Sequence, residues 1–188
     1  MSTRSEIDFV VKGEYTLKNG KTKKYEEYRR VYRHSDGYPE GVIPDLKEFL
    51  AWNGGRNSDV EYATANFLYW SKRRMEEDYW QGKGGKEMKG GKTMPNIDTE
   101  RKKWSDVGST GCSVLHIGFG VCDPKEFHGD IEYYYRVIVE DGKPEIKIEV
   151  YEVERKDWKT PVTMKSMKLI KTEKITRKPE GGNVISQP

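Results

Sequence analysis

The chain has 188 residues, of which 35% are charged and 34% are apolar, and its formal net charge is only +3. This length suits one domain with a real hydrophobic core, while the charge is well below that of dedicated nucleic-acid-binding proteins. We find no apolar stretch of about 18 residues and no signal peptide, so we expect a cytoplasmic protein with no membrane partner.

The first segment predicts a β-hairpin. Residues 6–12 and 14–18 have the composition of extended strands, and Asn19-Gly20 tolerates the positive φ of a tight turn. We predict the return strand at 24–33. Its apolar residues are spaced by three, which leaves a helix as the alternative.

Two consecutive helices are predicted next. The first should cover about 44–52 and begins with a proline, which suits a first helical turn because its missing N–H is not needed there. The second should cover about 58–80, with Ser58 or Asn57 as its cap. Glu61 lies three residues after Ser58, as a capping box requires.

The second half of the chain predicts a loop followed by strands. Residues 82–95 are rich in glycine and lysine and should form a mobile loop. A strand is expected at 112–121 and a hairpin at 130–154, where Asp141-Gly142 supplies the turn. The last strand should lie within 162–176.

These elements predict a single α+β domain over residues 1–177, followed by a disordered tail at 178–188. Its sheet should be antiparallel, with about five to six strands and both helices packed on one face. The two cysteines, Cys112 and Cys122, bracket a predicted strand that would hold them about 33 Å apart. We therefore expect free thiols, as in a reducing compartment.

The pattern His-x-Asp occurs twice, at His34/Asp36 and at His128/Asp130. Two such units that meet in space could act as a general acid and a general base, or could offer ligands to a divalent metal. The same His-Ser-Asp-Gly residues are also ordinary turn formers. Because the spacing matches no metal-binding motif, we assign no metal ligand, and the cofactor is unknown.

Arginine and tyrosine flank the first of these units. Arginine makes bidentate contacts with phosphate, and tyrosine stacks on bases or donates a hydrogen bond. In the strand predicted around residue 116, a histidine shares a face with two glycines, where a ligand could approach the backbone. The predicted ligand-binding residues are Arg29, Arg33, His34, Asp36, Tyr38, His116, His128 and Asp130.

Two stretches of the chain resemble other proteins: VYRHSDGYPEGVIPDLKEFL at 31–50 and HGDIEYYYRV at 128–137. The chain resembles uncharacterised proteins of bacteriophages, prophages and some archaeal mobile elements, which have a similar Tyr-Arg-His-x-Asp-Gly-Tyr-Pro stretch before a helix. The resemblance covers roughly the N-terminal third and the later hairpin. It implies an accessory protein of a virus or mobile element in a host cell, and it brings no known activity or site residue.

We therefore expect a protein that binds a phosphate-containing ligand, either a nucleotide or a nucleic acid, near the RHSDGYP loop at 33–39. One alternative is a metal-dependent or histidine-based phosphodiesterase or nuclease, in which His34 and His128 are the catalytic acid and base. Another is a protein–protein interaction module, such as an inhibitor of a host protein. The sequence is compatible with a homodimer and does not define the oligomeric state.

Overall fold

The computed structural model of the chain describes residues 3–80, 118–155, 157 and 159–176, with the backbone alone at 75–80. Six strands and two α-helices occur in these ranges, together with 3-10 turns at 54–58 and 164–166. In chain order, the elements are β1 (Ser5–Thr16), β2 (Thr22–Arg33), α1 (Pro39–Asn53), α2 (Val60–Trp80), β3 (Phe119–Cys122), β4 (Tyr133–Glu140), β5 (Glu145–Val153) and β6 (Met167–Thr176).

The strands form one six-stranded sheet in the order β3-β2-β1-β4-β5-β6. This confirms the predicted α+β class and the strand number. All neighbouring strands are antiparallel except β1 and β4, which are parallel. The sequence analysis did not predict this parallel pair. After β2 the chain passes through both helices and β3 before it returns on the other side of β1, so that β4 runs in the same direction as β1.

The N-terminal hairpin is longer and more regular than predicted. β1 runs without interruption through Gly13, and β2 pairs with it along all twelve residues, which excludes the helical alternative for this segment. The turn between them has Gly20 at φ +78°, a conformation that favours glycine. At Gly13, a Cβ atom would collide with the side chains of Tyr25 and Asp141, so the glycine allows the neighbouring hairpin turn to approach closely.

Both helices pack on one face of the sheet, as predicted, and enclose the main hydrophobic core. Ile7, Phe9 and Val11 of β1 belong to this core, and Phe9 contacts the rings of Phe49 and Phe67 at centroid distances of 5.7 and 5.3 Å. The central strands, α1 and α2 supply most of this core, which includes Ile7, Phe9, Val11, Val31, Leu46, Phe49, Phe67, Val137 and Ile148.

The first helix begins five residues earlier than predicted. Pro39 occupies its first turn, and the Tyr38 carbonyl accepts the N–H groups of Gly41 and Val42, both at 3.0 Å. Pro44 therefore lies inside the helix, where it cannot donate to the carbonyl four residues earlier. That carbonyl belongs to Glu40, an exposed residue, so water can satisfy it.

The second helix begins at residue 60 and is capped by Asp59, not by Ser58 or Asn57. Asp59 Oδ1 accepts the backbone N–H groups of Glu61 and of the next residue, both at 3.2 Å. Ser58 donates instead to a carbonyl of the preceding 3-10 turn, and Asn57 donates to the carbonyl of Leu50. The predicted capping box is therefore wrong, because the 3-10 turn occupies the residues that were assigned to it.

The C-terminal hairpin and the last strand agree with the sequence pattern, with Gly142 at φ +72° in the turn. Of the strand predicted at 112–121, only its last residues are described. The loop predicted at 82–95 and the tail predicted at 178–188 lie outside the described residues. In the part of the chain that the structure describes, no helix is both long enough and apolar enough to cross a membrane.

Candidate functional site

The two faces of β2 carry different chemistry. Val31 belongs to the core that α1 and α2 cover, and Arg33 next along that face pairs with Asp45 of α1. Side chains alternate along a strand, so Arg30 and Tyr32 lie on the opposite face. Residues that are adjacent in the predicted binding loop are therefore distributed over two separate surfaces.

The loop after β2 is held against the sheet by backbone hydrogen bonds. The N–H of His34 donates to the carbonyl of Gly118 at 2.8 Å, and the N–H of Gly37 donates to the carbonyl of Thr3 at 3.0 Å. The hydroxyl of Tyr135 donates to the carbonyl of Gly37 at 2.7 Å. Asp36 adopts φ 54°, a left-handed conformation that aspartate tolerates better than most residues. These contacts confirm the turn role of the loop.

A cavity of about 280 Å³ lies between this loop and the two helices. Arg33 forms one wall: its Nε donates to the Ser35 carbonyl at 2.8 Å, and its Nη1 donates to Asp45 at 2.7 Å. Arg74 of α2 lies 3.5 Å from the same carboxylate. The lining residues are Arg33, Ser35, Asp36, Gly41, Asp45, Trp70, Ser71, Arg74, Gly118 and Phe119.

Several polar groups around the cavity keep unused hydrogen-bonding capacity. The hydroxyl of Ser71 is buried, and it has no hydrogen-bond partner among the described residues. Arg33 uses Nε and Nη1, and its Nη2 donates to no described side chain or carbonyl. Among the described residues, Arg74 contacts the carboxylates of Asp45 and Glu48, and it does so through Nη1 alone. A buried polar group without a partner is costly, which favours a ligand that supplies one.

The opposite face carries a buried network of charged side chains. Arg30 donates to both carboxylate oxygens of Asp8, and Tyr134 donates its hydroxyl to the same carboxylate at 2.6 Å. Although burial opposes the charge of Arg30, the adjacent Asp8 carboxylate holds the pKa of its guanidinium above the ordinary value. Phe127 covers the network, with its ring centre 3.8 Å from the guanidinium carbon.

The two predicted His-x-Asp units come close together beside this network, around Tyr32. The Tyr32 ring packs on His128 at 4.5 Å, with the two rings tilted by 30°, and contacts the ring of His34 at 6.0 Å. Burial, followed by the neighbouring Asp130 carboxylate, raises the pKa of the Tyr32 hydroxyl. Asp130 also pairs with Arg4 at 3.2 Å. The histidines therefore share one tyrosine, whose hydroxyl lies 3.2 Å from His34 Nδ1 and whose ring packs on His128.

The carboxylate that orients His128 is that of Glu6, which the sequence analysis missed. Glu6 Oε1 accepts the backbone N–H of His128 at 2.8 Å and lies 2.6 Å from the ring Nδ1. The Glu6 side chain is fully buried, and this burial raises the pKa of its carboxyl group. Cys122 lies nearby as a buried free thiol, whose pKa burial raises to about 12.

The other predicted site residues have separate positions. Arg29 pairs with Glu61 of α2 at 2.7 Å and does not line the cavity. Tyr38 begins α1 and is 40% exposed. His116 lies outside the described residues. Of the predicted ligand-binding residues, Arg33 and Asp36 line the cavity, while His34, His128 and Asp130 gather on the other face.

Comparisons with known protein families, with curated proteins and with solved structures find no match to this chain.

Proposed function

We propose that the protein binds a phosphate-containing ligand, a nucleotide or a nucleic acid, in the cavity beside the loop at 33–39. One observation carries the proposal: two guanidinium groups with unused donors border the same cavity as a buried hydroxyl that has no partner among the described residues. The residues in question are Arg33, Arg74 and Ser71.

A phosphate group suits these donors because its oxygens accept several hydrogen bonds at once and because arginine binds it in a planar, bidentate fashion. Asp45 lies beside both guanidinium groups and fixes them in place. The half-buried indole of Trp70 lines the cavity as well, with Arg74 over its ring at 5.1 Å and Phe67 stacked on it at 6.4 Å. A base of the ligand would contact the part of the indole that lines the cavity while the phosphate contacts the guanidinium groups.

The proposal is one of binding without turnover. The histidines that could serve as acid and base lie with Tyr32 on the opposite face of the sheet from Arg33. A phosphoryl group held by Arg33 and Arg74 would therefore be out of their reach, since acid–base catalysis requires contact at hydrogen-bond distance. We further propose that the protein is an accessory protein of a virus or mobile element in its host cytoplasm, which rests on the sequence resemblance alone.

The test is calorimetric titration of the full chain with inorganic phosphate, adenosine monophosphate and a short single-stranded oligonucleotide. We expect saturable binding of at least one probe, and a reduction of at least about tenfold for Arg74→Gln, since a charged hydrogen bond contributes about 1.5–3 kcal/mol. A steep fall of affinity with salt would indicate a nucleic acid, because many phosphates are then neutralised.

Arg29→Gln is the matched control, because Arg29 is also a partly exposed, ion-paired arginine and lies outside the cavity. It should leave affinity unchanged at fixed salt. The proposal is overturned if no probe binds, or if Arg29→Gln and Arg74→Gln reduce affinity equally.

A further inference from the structure

On the face of the sheet away from α1 and α2, three side chains of different chemistry converge. The Glu6 carboxylate, the Cys122 thiol and the His128 imidazole each place a donor atom within 4.8 Å of the other two. Glu6 comes from β1, whereas Cys122 ends β3 and His128 follows it closely, more than a hundred residues further along the chain. We propose that these three residues form a binding site for a divalent transition metal of the zinc class.

The spacing of the donors, from 2.6 Å up to a limit of 4.8 Å, brackets what such an ion requires and calls for small adjustments of the side chains. Zinc binds sulfur at about 2.3 Å and nitrogen or oxygen at about 2.0–2.2 Å, so tetrahedral ligands lie about 3.3–3.8 Å from one another. Glu6 Oε1 and His128 Nδ1 are now 2.6 Å apart and must separate slightly to admit the ion. The His128 side chain is 48% exposed, which leaves the ring space for this movement.

A second observation at Glu6 points to a missing partner. Its side chain has no exposure to solvent, and its Oε2 accepts no hydrogen bond from any described residue. The nearest cationic atom, Arg30 Nη1, lies 3.4 Å away and already donates to the carbonyl of Glu126. A fully buried carboxylate oxygen without a hydrogen bond is unusual, and a metal ion would satisfy it when Glu6 binds the ion through both oxygens or turns Oε2 toward it.

The charges around the site also favour a divalent cation. Two carboxyl groups, those of Glu6 and Asp8, face the single guanidinium of Arg30 in this buried cluster. A divalent cation would add positive charge where carboxyl groups outnumber guanidinium groups, which reduces the cost of burying them. A thiol ligand binds a metal as its thiolate, so binding also releases the thiol proton.

The donor set selects the type of metal. A cysteine sulfur together with imidazole nitrogen favours zinc and similar transition metals, whereas magnesium and calcium prefer oxygen ligands alone. Three protein ligands leave one of the four tetrahedral positions for water or another molecule.

The test uses the full chain, stripped of metal with a chelator under reducing conditions and titrated with Zn²⁺ alone and with Co²⁺ alone. We expect one Zn²⁺ per chain by calorimetry and elemental analysis. Bound Co²⁺ should show a thiolate-to-metal charge-transfer absorption. His128→Ala and Cys122→Ser should each weaken Zn²⁺ binding by at least about tenfold, since each removes one of three ligands.

Two controls remove the same chemical groups: His34→Ala, whose ring contacts the same Tyr32, and Cys112→Ser, which removes the other thiol of the sequence. Both should bind Zn²⁺ like the wild type and retain the Co²⁺ thiolate absorption. If circular dichroism shows that Cys122→Ser does not fold, the Zn²⁺ affinity of His128→Ala and the Co²⁺ spectrum of the wild type test the proposal instead. The proposal is overturned if the wild type binds no Zn²⁺, if the thiolate absorption is absent, or if a control variant loses as much affinity as its partner.

The metal site and the phosphate cavity can fail independently because they lie on opposite faces of the sheet. Arg74→Gln should leave Zn²⁺ binding unchanged, and His128→Ala should leave phosphate binding unchanged.

Discussion

Asp8 and Arg30 are direct cross-strand partners near the centre of the sheet, and they form a bidentate ion pair from which water is excluded. Arg30 Nε and Nη2 donate to the two carboxylate oxygens at 2.7 and 2.9 Å, and each side chain is only 2% exposed. A shift of one residue in the pairing would turn either side chain into the hydrophobic core. The pair therefore specifies the register of β1 and β2.

Asp8→Asn should destabilise the protein strongly. The change keeps the shape of the side chain but removes the carboxylate that accepts two hydrogen bonds from Arg30. Only Glu6, at 3.4 Å, then remains as a buried counter-ion, and we expect a loss of about 3–5 kcal/mol in the free energy of unfolding. Urea denaturation of the variant and the wild type measures this difference. The pair Lys12 and Glu26 on the same two strands is partly exposed and supplies the control.

Lys12→Gln should cost no more than about 1 kcal/mol, because an exposed ion pair contributes little. If Asp8→Asn lowered the free energy of unfolding as little as Lys12→Gln, the Arg30 guanidinium would have to reach water or another partner. The buried network described above would then be wrong.

Gly37 tests how the predicted binding loop is held. A Cβ atom at this position would lie 2.9 Å from both the backbone of Arg4 and the side chain of Ser5. Gly37→Ala should therefore push the loop away from β1 and cost about 1–3 kcal/mol, as overpacking does. Gly129→Ala is the control, since an added Cβ meets nothing within 4 Å there. Equal thermal midpoints for the two variants would contradict the close approach of the loop.

Phe67 tests the docking of α2 on the sheet. Its ring is fully buried and contacts Phe9, Phe49 and Phe119 at 5.1–5.8 Å. Phe67→Ala should lower the free energy of unfolding by about 3–5 kcal/mol, which guanidinium titration measures. Tyr69→Ala on the same helix, where the side chain is 57% exposed, should change it by about 0.5 kcal/mol or less. A small loss for Phe67→Ala would show that α2 packs elsewhere.

The fold was predictable where local rules apply. Asn19-Gly20 and Asp141-Gly142 mark the hairpin turns, and the alternation of Ile146, Ile148 and Val150 with polar residues matches the buried and exposed faces of β5. The parallel pairing of β1 with β4 was not predictable, because it joins segments more than a hundred residues apart and depends on the path of the whole chain. The start of α1 was misplaced because Pro39 and Pro44 both suit a first turn.

The candidate sites were predictable only in part. The loop chemistry directed attention to Arg33 and the histidines, but strand alternation places Arg33 and His34 on opposite faces. Ser71 looks like an ordinary helix residue in the sequence, and its unpartnered hydroxyl is a tertiary feature. Glu6 lies in a strand segment where an alternating charge usually marks a solvated face, so nothing local signals its burial.

Glu173 tests the link between β6 and α1 through pH. Hydrogen bonds from Lys47 and Lys171 lower the pKa of its carboxyl group from 4.5 to about 2. A carboxyl whose pKa is lower in the folded state stabilises the fold above its unfolded pKa, and that contribution disappears as the pH falls through the folded value. Glu173→Gln should therefore be less stable than the wild type at pH 7, with a difference that shrinks between pH 4.5 and about 2. Thermal unfolding across this range measures the difference, and a constant difference would contradict the two contacts.

Ser71 separates a ligand-binding role from a structural one. Because its buried hydroxyl has no partner among the described residues, Ser71→Ala removes an unsatisfied group and improves helix propensity. We expect the variant to be as stable as the wild type or more stable by up to about 1 kcal/mol. Thr64→Ala is the control on the same helix, since its buried hydroxyl donates to the Val60 carbonyl at 2.6 Å. Because Thr64→Ala loses this hydrogen bond, the variant should be less stable, relative to the wild type, than Ser71→Ala.

The same variant should bind phosphate-containing probes more weakly, since the ligand loses the hydroxyl. Thermal unfolding without probe gives the stability, and titration with adenosine monophosphate gives the affinity. We expect a gain in stability together with a loss of affinity, because a functional site can keep a polar group that lowers the stability of the folded protein. A loss of stability without ligand would mean that the Ser71 hydroxyl has a structural partner, and the cavity would lose its main support as a binding site.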